Sequence, residues 1–266
     1  MAEAAESGAA VGAGASGSPW QFDFRGRRVV VTGGSRGLGL QMARAFSQLG
    51  AEVVIASRKL ENCEAAAAAI AQETGGTVHP LQVRMTDWES VESFAQQVLD
   101  RVGAVDVLVN NAGSSPLYDS VAGIGEELFD KVLGLNLKGP FRLAALFAEQ
   151  MPAGGSIVNI SSIAARHPRA STLPYSAAKA GLEAATVALA HAYGPGVRVN
   201  AVVPGTFLTD VSKHWDMESF QQRAESFALK RGGDPEEIVG AVLYLSSPMA
   251  SYTTGSLLTV DGGAPA

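Results

Sequence analysis

The sequence predicts an α/β protein with a doubly wound parallel sheet of about seven strands and helices on both faces. Short apolar runs alternate along the chain with Ala-rich or amphipathic helical segments such as 61–73 and 88–102, which is typical of a parallel sheet. A glycine-rich turn directly follows the first apolar run. The predicted strands span residues 29–32, 52–56, 78–83, 107–110, 156–161, 198–203 and 257–260.

The first strand, the turn and the next helix read as a dinucleotide-binding unit. Residues 28–31 are Arg-Val-Val-Val, a β-branched run suited to a buried strand, and Met42, Phe46 and Leu49 recur at helical spacing before Gly50, the expected C-cap. Glycines let a backbone approach a pyrophosphate, whose charge a helix N-terminus favours. The expected cofactor contacts of this turn are Gly33, Ser35, Arg36, Gly37, Leu38 and Gly39.

Tyr175 and Lys179 lie four residues apart in a segment expected to be helical, so both side chains share one face. An ammonium group stabilises phenolate relative to phenol. Tyr175, with a reference pKa of about 10, is therefore expected to exchange protons nearer neutral pH. Such a pair is suited to moving a proton to or from a carbonyl or alcohol oxygen.

These motifs, in this order and spacing, resemble the short-chain dehydrogenase/reductase family in its single-domain form, which has a Rossmann-type fold. The resemblance covers the chain from about Phe22 to the C-terminus. Besides the glycine turn it is carried by Asn110-Asn111-Ala112-Gly113, Asn136, Ser162, Tyr175 with Lys179, Pro204-Gly205, Thr209 and Val260-Asp261-Gly262-Gly263.

The resemblance implies hydride transfer between a nicotinamide cofactor and a small-molecule carbonyl or secondary alcohol. Tyr175 would transfer the proton, and Lys179 would lower the pKa of Tyr175 and hold the ribose. Ser162 would bind the substrate oxygen, with Ser161 as the alternative serine, and Asn136 would hold a relay water. The further implied cofactor contacts are Asn111, Ala112, Gly113, Tyr175, Lys179, Pro204, Gly205 and Thr209.

The end of the second strand bears on cofactor choice. An acidic residue there would bind the free ribose hydroxyl of NAD, whereas arginine accommodates the 2′-phosphate of NADP. Ser57 stands at the usual acidic position, Arg58 follows it, and Arg36 in the glycine turn could reach the same phosphate. The sequence therefore predicts NADP(H), and the alternative is that Arg58 and Lys59 form a solvated helix start.

One position departs from the family pattern. Family members usually carry an aspartate after the third strand, where it contacts adenine, and this chain has Arg84 there. Arg84 could instead stack on the ring or reach a phosphate. Asp87 is expected to be a helix N-cap.

Composition agrees with one globular domain, predicted over residues 19–266, after an Ala/Gly/Ser-rich segment, 1–18, that is expected to be disordered. The net charge of −6 and the lack of a basic cluster argue against nucleic-acid binding. Cys63 is the only cysteine and the four histidines lack metal-ligand spacing, so no metal is expected. No run of apolar residues is long enough to span a membrane as a helix, and a cytoplasmic protein is predicted.

The sequence says less about the substrate and the oligomeric state than about the fold and the cofactor. Apolar residues after Gly205 suggest a substrate lid: Phe207, Leu208, Trp215, Met217, Phe220 and Phe227. A 3-oxoacyl carrier-protein reductase-like enzyme and a non-catalytic NADP-binding regulator are the alternative functions. The resemblance implies a homotetramer, with contacts from segments 133–150 and 175–193, whose small residues are Ala177, Ala178, Ala180, Gly181, Ala184 and Ala185.

Overall fold

The structure, a computed structural model, describes residues 21–210, 212 and 216–265. The predicted disordered segment 1–18 and Trp215 lie outside these residues. All seven predicted strands pair in one parallel sheet with the order β3-β2-β1-β4-β5-β6-β7, which confirms the fold class. The strands are β1 Arg28–Thr32, β2 Glu52–Ser57, β3 Val78–Gln82, β4 Val107–Asn110, β5 Gly155–Ile160, β6 Val197–Pro204 and β7 Leu257–Val260.

Eight α-helices are present in the described part of the chain: α1 Gly37–Gln48, α2 Leu60–Thr74, α3 Trp88–Val102, α4 Glu126–Leu133, α5 Gly139–Ala148, α6 Leu173–Tyr193, α7 Met217–Ala224 and α8 Val239–Ser246. A π-helical turn, Gly134–Lys138, joins α4 to α5. The strand ends lie within one residue of their predicted positions, a difference that is normal for element boundaries. Asp87 caps α3 as predicted, because its carboxylate accepts a hydrogen bond from the Ser90 amide at 2.7 Å.

Helices cover both faces of the sheet. On one face, side chains of α1, α2 and α8 pack on alternate strand residues such as Val29, Val31 and Val53. On the other, side chains of α3, α5 and α6 pack on the intervening residues such as Val30 and Val54. Burial on both faces explains why the strands are continuous apolar runs rather than alternating ones.

The chain direction across the sheet reverses between β1 and β4. Strands β2 and β3 lie on one side of β1, and β4 to β7 follow on the other. In open α/β sheets, ligands bind beyond the carboxyl ends of the strands at this switch point. The glycine turn after β1 and the Asn-Asn-Ala-Gly segment at β4 therefore meet at the crevice where a dinucleotide would bind.

Two other features bear on function. Within the described ranges, no helix is long and apolar enough to cross a bilayer. The same residues contain no group of three or more His, Cys, Asp or Glu side chains that could hold a metal ion.

Candidate active site

Close backbone approach explains two glycines of the turn after β1. Gly33 has φ +66°, a conformation that side chains with a Cβ disfavour. At Gly39, an added Cβ would lie 2.3 Å from the Gly33 carbonyl oxygen and 2.5 Å from Asn111 Nδ2. No side chain fits in that space, so α1 can begin at Gly37 directly against the turn. Its N-terminus faces the crevice, where it favours a phosphate.

Asn111 holds the turn in place. Its Nδ2 donates to the Thr32 carbonyl at 2.9 Å, and the backbone amides of Asn111 and Ala112 both donate to Thr32 Oγ1, at 3.0 and 3.1 Å. These bonds connect the ends of β1 and β4 across the switch point. Asn111 therefore shapes the cofactor crevice, and Thr32, which the sequence analysis did not single out, is its partner.

Gly113, Asn136 and Lys179 converge beyond the end of β4. An added Cβ at Gly113 would lie 2.8 Å from Asn136 Oδ1 and 3.4 Å from Lys179 Nζ. Asn136 is completely buried, and Lys179 is 2% exposed. The structure thus brings together two predicted catalytic residues that are 43 positions apart (179 − 136), and glycine at 113 leaves room for both.

The π-helical turn orients Asn136 inward. Asn136 Nδ2 donates to the carbonyls of Val132 and Ser114, at 2.9 and 3.0 Å, and Asn136 Oδ1 accepts from the Ser114 amide at 3.2 Å. Single π-helical turns are rare and recur at functional sites. A carbonyl oxygen has two lone pairs, so Asn136 Oδ1 can accept a second hydrogen bond besides that from the Ser114 amide.

Lys179 lies on α6, one turn after Tyr175. Its Nζ donates to the Ile160 carbonyl at 2.7 Å and lies 5.7 Å from the centroid of the Tyr175 ring. Burial lowers the pKa of Lys179 from 10.5 to about 8, because a low-dielectric surrounding disfavours the ammonium form. Lys179 is therefore close to its titration point at mildly alkaline pH.

The pKa of Tyr175 differs from the expectation. The sequence predicts that Lys179 lowers it, but in the structure burial raises the pKa of Tyr175, and interaction with the Ser162 hydroxyl only partly offsets this effect. The physical reason is burial, because a low-dielectric surrounding disfavours the charged phenolate. Tyr175 is accordingly held as a neutral phenol, the form that can donate a proton.

The two adjacent serines have different partners. Ser161 is buried and its Oγ donates to Glu183 Oε1 at 2.8 Å, while Arg166 Nε lies 3.4 Å from Glu183 Oε2. Ser162 is the serine that interacts with Tyr175, and its Oγ also accepts from the Ala164 amide at 3.2 Å. Ser162, not the alternative Ser161, therefore faces Tyr175. Glu183 was not singled out from the sequence.

The segment after β6 reaches back to the glycine turn. The Gly205 amide donates to the Val260 carbonyl at 2.9 Å, and an added Cβ on Gly205 would lie 2.6 Å from the Cα of Asp261. Thr209 side-chain carbons lie 3.7 Å from the position of a Cβ on Gly37. Pro204, Gly205 and Thr209 thus lie on a segment that runs from the end of β6 to the start of α1.

Most of the residues predicted to form an apolar lid are buried instead. Phe207, Phe220 and Phe227 are less than 9% exposed. Phe207 joins the main core, whereas Phe220 and Phe227 form a separate small cluster with Ala224 and partly buried Leu208. Met217 is 47% exposed. Trp215 lies outside the described residues, and of the five described lid positions only Met217 presents a large exposed apolar surface.

Three arginines lie beyond the carboxyl ends of the adjacent strands β1, β2 and β3. Arg36 precedes α1, Arg58 follows β2 and Arg84 follows β3, and all three are exposed. Gln82 Nε2 donates to the Arg58 carbonyl at 2.8 Å, which ties the ends of β2 and β3 together. None of the three guanidinium groups has a carboxylate partner within the described ranges, so the cations are available to an anionic ligand.

The remaining predicted cofactor residues occupy the same edge. Ser57 Oγ donates to the Lys59 carbonyl at 3.1 Å and lies 3.1 Å from Cys63 Sγ. Burial raises the pKa of the Cys63 thiol, which makes it unreactive. Ser35 is partly buried in the turn, and the partly buried Leu38 side chain packs on the core.

Comparisons with known proteins agree with this geometry. A family model described as enoyl-(acyl carrier protein) reductase matches residues 33–265. The chain is 38% identical over 246 residues to the L-rhamnose 1-dehydrogenase (NAD(P)(+)) of Azotobacter vinelandii, covering 89% of this chain and 96% of that protein. The chain belongs to the short-chain dehydrogenase/reductase family.

Solved structures of the short-chain dehydrogenase/reductase family superpose on most of the chain. A family member from Serratia marcescens has a TM-score of 0.85 at 32% identity, covering 91% of this chain and 99% of that one. A blue fluorescent protein from a metagenomic library, solved with NADPH, has a TM-score of 0.84 at 32% identity and the same coverage. The chain therefore has the Rossmann-type fold of this family, and the protein is an oxidoreductase.

Proposed function

We propose that the protein is an NADP(H)-dependent oxidoreductase that interconverts a carbonyl compound and a secondary alcohol, with Tyr175 as general acid and base. The observation that carries this proposal is the convergence of Asn136, Ser162, Tyr175 and Lys179 at the carboxyl edge of the sheet, with both Asn136 and Lys179 buried. A buried ammonium beside a partly buried phenol is costly to maintain and is typical of a catalytic site.

The residues of the crevice fit a nicotinamide dinucleotide, which would supply the hydride. Gly33 and Gly39 leave the backbone bare against the α1 N-terminus, where a pyrophosphate would lie. Arg36 and Arg58 would bind the 2′-phosphate, and Pro204, Gly205 and Thr209 would border the nicotinamide. Lys179 would also hold the ribose hydroxyls near Tyr175.

Side chains of the protein would transfer the proton to and from the substrate oxygen. In the reductive direction, the Tyr175 phenol would donate its proton to the carbonyl oxygen while Ser162 Oγ donates a hydrogen bond to the same atom. The Lys179 ammonium would stabilise the phenolate that results. Asn136 Oδ1, with its remaining lone pair, would hold a water that returns a proton to Lys179 and Tyr175.

Substrate class is tested by measuring NADPH consumption, with NADH in parallel, across ketones, diketones, keto sugars and a β-ketoacyl thioester, together with L-rhamnose oxidation. The sugar arm follows the name of the Azotobacter relative, and the thioester arm follows the name of the matched family model. Turnover with NADPH would support the proposal. NADPH binding without any turnover would favour the alternative of a non-catalytic regulator.

A substitution of Arg58 tests the predicted preference for NADPH over NADH. Replacing Arg58 with Ala should raise the Kd for NADPH by about tenfold, because a charge-assisted bond to the 2′-phosphate is lost. The Kd for NADH should change less than about twofold by the same reasoning, since NADH lacks that phosphate. Fluorescence titration measures both constants.

The matched control is Lys59→Ala, which removes an exposed cation next in the chain. An equal loss of NADPH affinity in Lys59→Ala would show that only general positive charge matters. Equal weakening of NADH and NADPH in Arg58→Ala would count against a 2′-phosphate contact.

We also propose a homotetramer with α5 and α6 at a two-fold interface. Ala177, Ala180 and Ala184 are exposed along α6, and Phe141 on α5 and Val187 on α6 are 41% and 38% exposed. Small residues beside exposed apolar ones suit close helix approach. Ala178 and Gly181 do not contribute, because Ala178 is buried and Gly181 faces Leu137 within the subunit.

A further inference from the structure

We propose that Tyr118 is a positioning residue for Tyr175, acting through the first turn of α6. Tyr118 lies in the segment after β4, Ser114-Ser115-Pro116-Leu117-Tyr118. The inference rests on the proposed function, because it assumes that Tyr175 transfers the proton. It adds a residue from outside the predicted tetrad.

The Tyr118 hydroxyl makes two hydrogen bonds to the chain that leads into Tyr175. It donates to the Ala170 carbonyl and accepts from the Leu173 amide at 2.8 Å. Leu173 is the first residue of α6 and precedes Tyr175 by two positions. One phenol oxygen therefore links the loop before α6 to its first helical residue.

The Tyr118 contact satisfies an amide at the start of α6 that has no partner within the helix. The first amides of a helix lack partners within the helix, and a side chain at the N-cap position usually accepts from one of them. At α6 the N-cap residue, Thr172, makes no such bond, and its hydroxyl pairs instead with Ser176 Oγ at 3.0 Å. Tyr118, which lies 55 residues before Leu173, instead accepts from the Leu173 amide, the first of these unpaired amides.

The segment 114–118 is held at both ends beside the reaction centre. At one end, the Ser114 backbone makes two hydrogen bonds with the buried Asn136 side chain. At the other end, Tyr118 binds the start of α6. Between them, Pro116 and Tyr118 line the same small apolar cavity as Tyr175. Asn136 and Tyr175 are therefore connected through one short segment, and loosening Tyr118 would release the helix turn that carries Tyr175.

The test is Tyr118→Phe, which keeps the ring and removes only the hydroxyl. We expect kcat for the best carbonyl substrate of the panel to fall by about tenfold, the rate change that losing one or two hydrogen bonds supports. The Kd for NADPH should stay within about twofold, because the cofactor crevice is untouched. Hydrogen–deuterium exchange in a peptide covering residues 170–176 should become faster, since the Leu173 amide loses its acceptor.

The matched control is Tyr252→Phe, because Tyr252 is fully exposed and its hydroxyl has no partner in the described chain. If Tyr118→Phe matches this control in kcat, the inference is wrong, whether or not exchange is faster. Equal losses of kcat and NADPH affinity would also overturn it, since they would indicate general loosening. Retained activity in Tyr175→Phe would refute the proposed function itself, whereas an inactive Tyr175→Phe with a normal Tyr118→Phe would refute only the role of Tyr118.

Discussion

Replacing Tyr175 with Phe should lower kcat by roughly 10²–10⁴-fold, the usual contribution of a positioned general acid. The ring is retained, so packing at the start of α6 should be preserved. The Kd for NADPH should change little, because the glycine turn and Lys179, which would hold most of the cofactor, are unchanged. Steady-state kinetics and a fluorescence titration of the cofactor measure the two quantities.

Tyr193→Phe is a suitable control because it removes a phenol oxygen at the other end of the same helix. Its activity should be close to that of the wild type. Activity of Tyr175→Phe within about tenfold of this control, less than a general acid contributes, would refute the assignment of Tyr175.

Replacing Lys179 with Met should reduce activity strongly and at the same time stabilise the fold near neutral pH. Activity falls because the phenolate of Tyr175 loses its cationic neighbour. The stability gain has a different cause: burial lowers the pKa of Lys179 from 10.5 to about 8, so carrying its charge below pH 8 opposes folding. Converted at about 1.4 kcal/mol per pKa unit, this penalty is on the order of 3 kcal/mol.

The expected net gain is smaller than the penalty. Met cannot donate to the Ile160 carbonyl, and a lost hydrogen bond costs about 1 kcal/mol. The free energy of unfolding at pH 7 should therefore rise by about 1–2 kcal/mol in Lys179→Met. Urea denaturation measures it, with Lys131→Met, a change at an exposed lysine of α4, as the control. A Lys179→Met variant less stable than the wild type would contradict the burial penalty.

The same pKa sets two pH dependences with opposite signs. Between about pH 8 and 10.5 the unfolded chain binds more protons at Lys179 than the folded one, so wild-type stability gains from this group as pH rises. Over the lower part of that range, kcat/KM for reduction should fall, because Lys179 loses its charge while Tyr175 stays protonated. Lys179→Met should lack both effects.

Local sequence patterns account for much of this site. The β-branched runs and the glycine turn predicted the sheet and its crevice, because strand burial and close backbone approach each demand particular residues at adjacent positions. Spacing of four residues placed Tyr175 and Lys179 on one helical face, as the structure shows. These features depend on neighbours in the chain, so they can be read without a structure.

The contacts that could not be predicted from the sequence join residues that are far apart in the chain. Two adjacent serines look equivalent in sequence, yet Ser161 binds Glu183 on α6 and Ser162 faces Tyr175. Thr32 and Tyr118 were missed because their partners lie 79 and 55 positions away. No periodic pattern marks such contacts.

By itself, the sequence determined the family and the parallel α/β sheet, and it predicted Asn136, Ser162, Tyr175 and Lys179 as site residues. Only the tertiary structure decided that Tyr175 has a raised rather than a lowered pKa, that most of the apolar lid is core, and that α6 is capped from another loop. The reason is physical: pKa values and capping depend on burial and on the atoms packed around a group, and these are set by which distant segments the fold brings together.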